Sequence, residues 1–367
     1  MPDNKSLQEF AKKHGIDWLS LEQTLDENQA LKKLVEEQDK LIHEQWAFIN
    51  SSYRIYCPFW IKRMKSRILE ILRPRLGNLN QYAPRPLSKI NRPPVKPINQ
   101  PLRISLVTPS YEQGQFIEQT ILSVLEQKYP NLEYFIQDGG SKDETLSILK
   151  RYDAKLSAWV SKPDKGQTQA INLGFASTDG DIMAYLNSDD LLLPGTLAYV
   201  NHYFQTHPEI DVVYGNRLLI DERGLEIGRW ILPGHNERVL SWADFVPQET
   251  LFWRREVWEK AGGQLDESFR FAMDWDLLIR FKKAGARFAH LPFFMGAFRV
   301  HEQQKTSSLI NETGFKEMNR IRCRLLGYTP TQRQIRRAIS AFILQHIAVD
   351  MMYRIKSRSS VFIKKWM

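Results

Sequence analysis

Apolar residues recur at helical spacing through Ile16, Leu19, Leu21, Leu25, Leu31, Leu34, Val35, Leu41 and Ile42, set among Glu, Gln and Lys. That period predicts one or two amphipathic helices over residues 16–50. From Tyr53 to Leu72 the chain turns aromatic and basic. Seven prolines then fall between Pro74 and Pro101 with few apolar neighbours, a composition that cannot build a core and predicts an extended linker. Beyond it the pattern changes. Short apolar runs at Arg103–Thr108, Leu132–Gln137, Ala158–Val160 and Asp181–Leu186 predict strands, and Phe116–Gln127, Lys142–Tyr152 and Gln167–Ala176 carry helical periodicity. Strands alternating with helices imply an α/β fold, a mostly parallel sheet with helices on both faces. The expected organisation is a helical N-terminal extension (1–80), a Pro-rich linker (81–101), the α/β domain (102–305) and a basic amphipathic helical segment (306–367).

In such sheets ligands bind beyond the carboxyl ends of the strands. Three predicted strand ends carry polar clusters: Pro109-Ser-Tyr111, Asp138-Gly-Gly-Ser141 and Asn187-Ser-Asp-Asp190. The adjacent carboxylates of Asp189 and Asp190 repel one another unless a cation lies beside them. They suit either a helix cap or a divalent ion shared with phosphate oxygens, and their place among the other clusters favours the ion. The two glycines after Asp138 permit a tight turn and the close approach of a base or ribose. Lys162, Asp164 and Lys165 form either a solvated loop or a ribose, base or phosphate contact. Asp274 and Asp276 flank Trp275 before an apolar helical run, so one carboxylate can cap that helix and the other is free for proton transfer. His301 is a candidate metal ligand and Arg299 a diphosphate partner.

Composition narrows the options. Apolar residues make up 43% of the chain, enough for a large core, and the two cysteines, Cys57 and Cys323, are too far apart for a CxxC motif. A disulfide framework and a zinc site are therefore not expected. No apolar run reaches the ~20 residues that span a bilayer, and the N-terminus lacks the apolar core of a secretory signal. The expected location is cytoplasmic, at most peripheral on the inner face of a membrane. Of the net charge of +9, the stretch from Lys316 to Met367 supplies twelve Lys and Arg against two acids. No ordered basic–aromatic motif accompanies it, so nucleic acid is not an expected partner. Residues 335–363 instead read as a basic amphipathic helix, which either lies on an anionic membrane or packs on the domain with its basic face in water.

Taken together, the motifs resemble the family 2 glycosyltransferases over about residues 102–305. They occur in family order: Thr-Pro-Ser-Tyr111, Leu-Ser-Val-Leu-Glu-Gln127, Tyr-Pro-Asn-Leu-Glu133, Asp-Gly-Gly-Ser141, Asp-Lys-Gly-Gln167, Gly-Asp-Ile182, Asn-Ser-Asp-Asp190, Pro-Gly195, Gln-Glu-Thr250, Gly-Gly-Gln-Leu-Asp266, Met-Asp-Trp-Asp276 and Arg-Val-His301. The resemblance implies a GT-A fold and an inverting, metal-dependent transfer of one sugar from a nucleotide-sugar donor. UDP is the commonest carrier, with GDP and dTDP also used. A saccharide or lipid-linked acceptor in surface polysaccharide or glycolipid assembly is implied as well. By the same resemblance Pro109, Tyr111 and Asp138 hold the nucleoside, with Lys162 and Asp164 nearby. Asp189 contacts ribose or sugar, Asp190 is the main ligand of Mn or Mg, and Asp274 is the catalytic base. Gln248 and Glu249 lie near donor sugar or acceptor, and Arg299 and His301 face the diphosphate and metal. Glu112 departs from the Asn common after the Tyr, the metal motif is not a clean Asp-x-Asp, and no Gln-x-x-Arg-Trp follows Asp276. That last absence favours single transfers. Against an active enzyme stands an inactive carbohydrate-binding or scaffold protein, and against both a nucleotidyltransferase, whose basic Gly-rich loop is missing from Thr108–Gly114.

Overall fold

The computed structural model describes residues 81–87, 100–301 and 313–363. The helices read over residues 16–50 and the aromatic–basic stretch after them lie outside the described residues. In chain order the elements are β1 (Gln81–Arg85), β2 (Ile104–Ser110), α1 (Ile117–Leu125), β3 (Leu132–Asp138), α2 (Thr145–Tyr152), β4 (Ala158–Ser161), α3 (Gln167–Ala176), β5 (Ile182–Tyr185), β6 (Leu191–Leu192) and α4 (Thr196–Thr206). There follow β7 (Val212–Ile220), β8 (Glu226–Trp230), α5 (Glu237–Leu240), β9 (Phe252–Arg254), α6 (Arg255–Lys260), α7 (Met273–Lys283), β10 (Phe288–Arg299), α8 (Phe315–Leu326) and α9 (Gln332–Ile363).

All seven residues of β2 are buried, as expected for a strand covered on both faces. It pairs in parallel with β3 and β5, and β3 with β4, which gives the parallel half that the alternating pattern implies. Helix α1 turns Ile117, Thr120, Ile121 and Val124 onto this sheet at the spacing of one helical face. Helix α3 approaches β2 closely at Gly174, where any Cβ would overlap the Val107 methyls. The sheet continues as β5-β9-β7-β8-β1, every one of these pairs antiparallel, and β10 runs parallel to β7 and antiparallel to β6. The complete sheet is therefore mixed: parallel where helices cross over it, antiparallel where its later strands close the far side.

One boundary differs from the sequence expectation. Residues 81–85, read as the start of the linker, form an edge strand on β8. Pro84 is compatible with that place because an edge strand needs ladder bonds on one side only. Glu226, fully buried on β8, fixes it: the Tyr82 hydroxyl donates to its carboxylate, as do Arg85 at 2.8 Å and Arg229 at 2.6 Å. The helical C-terminal segment packs on the core. Ile321, Ile335, Ile339, Phe342 and Ile343 pack in the same apolar cluster as Trp253, Trp275 and Phe281. The inner face of α9 thus follows the packing alternative raised for residues 335–363.

Candidate active site

The acidic loop after β5 is held from below and behind. Thr120 of α1 donates its hydroxyl to the carbonyls of Ser188 and Asp190, at 2.9 and 2.8 Å. Asn187 links three side chains, accepting from Gln167 at 2.6 Å and donating to Asp190 at 3.3 Å and Gln248 at 3.2 Å. Gln248 in turn donates to the Tyr185 carbonyl at 2.7 Å. Asp190 is 1% exposed, and its carboxylate accepts from the Arg299 backbone at 3.0 Å. Burial first, then the neighbouring charges of Asp189 and Glu249, push this acid well above the usual carboxylate range. Asp189 meets His301, Oδ2 to Nε2, at 3.0 Å, with the His301 ring against Phe116.

Arg299 requires a correction. Its side chain is fully buried and donates to the carbonyls of Asp189, Asp221 and Glu222 and to Gln119 Oε1, over 2.7–3.1 Å. A guanidinium so enclosed does not face a diphosphate. It braces the acidic loop from the β10 side, and this burial could not be read from Arg-Val-His301. Glu249, expected near donor sugar or acceptor, has its carboxylate engaged by the protein itself. It is 2% exposed and bound in bidentate fashion by Arg217, at 2.8 and 2.7 Å. That guanidinium lies over Trp230 and Phe298.

On the parallel side, Asp138 is fully buried and its carboxylate accepts four bonds, from the amides of Gly140 and Ser141 and the hydroxyls of Ser141 and Ser161. It shapes the turn; a direct nucleoside bond would have to displace one of these. Gly139 lies between the exposed Tyr111 ring and Asp164. A Cβ there would sit 3.1 Å from Tyr111 and 3.3 Å from the Asp164 carboxylate. The missing side chain lets the ring and the acid close on the backbone here. Pro109 is buried near the end of β2, opposite Gln137, and Lys162 is exposed. Glu112 adopts the left-handed backbone, φ 53°. Asn tolerates that conformation better than most residues, which accounts physically for the family's Asn here.

Asp274 lies in the first turn of α7 and accepts the Trp275 amide at 2.8 Å. Burial pushes its carboxyl up to about 6, against the lowering effects of that amide and of Arg217. Neither Asp274 nor Asp276 caps the helix. Asp276 pairs with Arg280 at 2.8 Å, and Glu317 of α8 holds the backbone that leads into the helix. Its two oxygens accept the amides of Arg270, Phe271 and Ala272, each at 2.9 Å. Asp244 is a further acid that no motif disclosed; burial and then Asp274 hold it well above its ordinary range. The Tyr185 hydroxyl, raised first by burial, feels the charges of Asp274, Asp244, Asp190 and Glu249, so these acids share one electrostatic neighbourhood.

Glu317→Gln is therefore expected to lower stability by about 1–3 kcal/mol, because one oxygen cannot serve three donors. It also removes a negative charge that raises Asp274. The acid limb of any activity resting on Asp274 should move to lower pH, as melting curves and pH profiles of the variant would show.

Among the described residues no three His, Cys, Asp or Glu side chains converge as a closed metal cluster. The loop does offer the two carboxylates of Asp189 and Asp190 beside His301. Mg and Mn commonly use one or two carboxylates and complete their shell with water and phosphate. A buried acid whose bonding partners are N–H groups rather than a cation fits that donor set.

A mixed α/β sheet flanked by helices, with an acidic loop after a central strand, is a GT-A-like architecture. Residues 105–303, just over half the chain, match the family described as glycosyl transferase family 2, and the chain belongs to that family. It is 30% identical over 193 residues to the O-antigen biosynthesis protein RfbC of Myxococcus xanthus, which covers 51% of this chain and 15% of that protein. It is 28% identical over 171 residues to an uncharacterized glycosyltransferase of Nostoc, covering 43% of this chain and 53% of the relative. The chain thus spans about half or less of these relatives' length. Among solved structures, residues 1–349 of S. aureus TarS in complex with UDP-GlcNAc share the fold, with a TM-score of 0.52 and 18% identity over 67% of this chain and 73% of that one.

Proposed function

We propose that this chain is an inverting glycosyltransferase that moves one sugar from a nucleoside-diphosphate donor, a UDP-sugar before others, to an acceptor hydroxyl. The observation that carries the proposal is the raised Asp274 carboxyl in the same electrostatic neighbourhood as the Asp189–Asp190 loop. The exposed Tyr111 ring and the Asp164 carboxylate beside Gly139 would take the nucleoside, the ring stacking on the base and the acid accepting from ribose. Asp274 would accept the proton of the acceptor hydroxyl as that oxygen bonds to the anomeric carbon. The bond from that carbon to the diphosphate breaks on the opposite face, and its electron pair leaves with the diphosphate. Attack from one face with departure from the other inverts the anomeric centre. Asp190, with Asp189 and His301, would hold Mn or Mg, which when bound neutralises charge on the leaving diphosphate. Arg299 and Thr120 keep that loop in place. The acceptor would be a saccharide or lipid-linked saccharide, in keeping with the name of the Myxococcus xanthus relative. Retention of Asp189, Asp190 and Asp274 speaks against an inactive scaffold.

Incubation with UDP-, GDP- and dTDP-sugars, read by free nucleoside diphosphate, should reveal turnover of one donor class that chelation removes and Mn restores. NMR of the transferred sugar should show the anomeric configuration opposite to the donor's. Turnover indifferent to chelation, or retained configuration, would overturn the proposal.

A further inference from the structure

Helix α9 is apolar on two opposite faces. The inner one packs Ile335, Ile339, Phe342 and Ile343 into the main core, and Val349 and Tyr353 against a smaller cluster. On the outer face Ala341, Leu344, Ala348, Met351, Met352 and Ile355 are all exposed, Leu344 at 66% and Ile355 at 61%. At about 100° per residue these six positions fall in a single arc of roughly 100°, centred opposite the buried face. The apolar clusters among the described residues take the inner face of α9 and not that stripe.

Charge indicates what covers it. Arg333 and Arg337 continue the stripe at its N-terminal end, while Arg336 and Lys356 lie on its two flanks, all exposed. The sole carboxylate between Gln332 and Ile363 is Asp350, which is buried and paired with Arg354 at 2.6 Å. A second copy of this helix would set cation against cation, whereas paired helices place opposite charges beside their seam. An anionic lipid surface meets both features, taking apolar side chains into the headgroup boundary and cations onto phosphates. No helix among the described residues is long and apolar enough to cross a membrane, so α9 would lie in the plane of the bilayer.

We propose that the outer face of α9 docks on an anionic bilayer, with Leu344, Met351 and Ile355 entering the headgroup boundary. The inner face relates this docking to the candidate site. His346 lies 6.5 Å, ring to ring, from Trp230, whose indole covers the Arg217 guanidinium at 4.8 Å. A bilayer held by α9 therefore has a fixed setting relative to the acidic cluster, which suits an acceptor anchored in that bilayer.

The test is co-sedimentation of the full chain with phosphatidylcholine vesicles, with or without about one-third phosphatidylglycerol. The chain should sediment with the anionic vesicles and not with the neutral ones. The double change Leu344→Glu and Met351→Glu should weaken binding at least about tenfold with an unchanged melting curve. Should that variant fail to fold, Arg333→Gln and Arg337→Gln, both at exposed positions, should each weaken binding on the order of fivefold. Failure of the parent chain to bind anionic vesicles, or undiminished binding by the variants, overturns the proposal. So does a solution dimer that the Leu344 and Met351 changes dissociate, since the face would then be an interface between copies.

Discussion

Replacing Asp274 by Asn is expected to lower kcat by on the order of 10²–10⁴-fold, the range a positioned general base supplies, while nucleotide affinity changes little. The substitution keeps the shape of the side chain and removes only its ability to take a proton. The parent enzyme's pH profile should carry the same group. A base works deprotonated, and burial pushes Asp274 up to about 6, so kcat/KM should rise with pH up to about 6 and level off above it. Below that point activity should fall about tenfold per unit. In the Asn variant this limb should be absent from the residual rate. A profile that keeps its limb near 6 in Asp274→Asn would assign the proton transfer elsewhere, and Asp244, the raised acid beside it, would be the next residue to test.

The second large effect is expected at a residue that no motif marks. Arg217→Ala leaves Glu249, 2% exposed and bonded twice to the guanidinium, as a buried and uncompensated charge. Removing one partner of a buried pair typically costs about 3–5 kcal/mol, so the melting temperature should drop by on the order of 10 °C. Adding Glu249→Gln should recover part of that loss, because the stranded charge is then gone. A further consequence has a defined sign. Arg217 lowers the Asp274 carboxyl, so its loss raises that group, and the acid limb should move toward neutral pH. Equal melting of Arg217→Ala and the parent would show that the pair contributes little to the fold.

The parallel half of the sheet was legible because its signals are local. Strand β2 is an unbroken buried run between polar ends, and the periodicity of Gln167–Ala176 matches α3 end to end. The antiparallel half was not read, because its pairings join strands far apart in sequence and no short pattern states the partner. Strand β1 was hidden by composition: prolines suggest a linker, yet one edge-strand proline next to Tyr82 and Arg85 is compatible with pairing once Glu226 is there to hold both. The site divides in the same way. Asp189, Asp190, His301 and Asp274 stood out because they fall in several motifs that occur together in family order. Arg217, Asp244 and Glu317 did not, since each acts across the fold: Glu317 holds the approach to a helix that begins more than forty residues earlier. Arg299 shows the converse error, in which an arginine beside a candidate metal loop was read as facing ligand although its whole side chain is enclosed.

The central claim is that the loop at Asp190 and the Tyr111 and Asp164 side chains beside Gly139 together form one metal-dependent nucleotide site. Calorimetric titration of UDP, GDP, dTDP and CMP into the full chain, with Mn and with a chelator, tests it most directly beside an Asp190→Ala variant. One nucleoside diphosphate should bind with Mn and lose at least about tenfold in affinity on chelation or on loss of the carboxylate. Absence of binding by every nucleotide under both conditions, or binding that neither chelation nor Asp190→Ala changes, would contradict it.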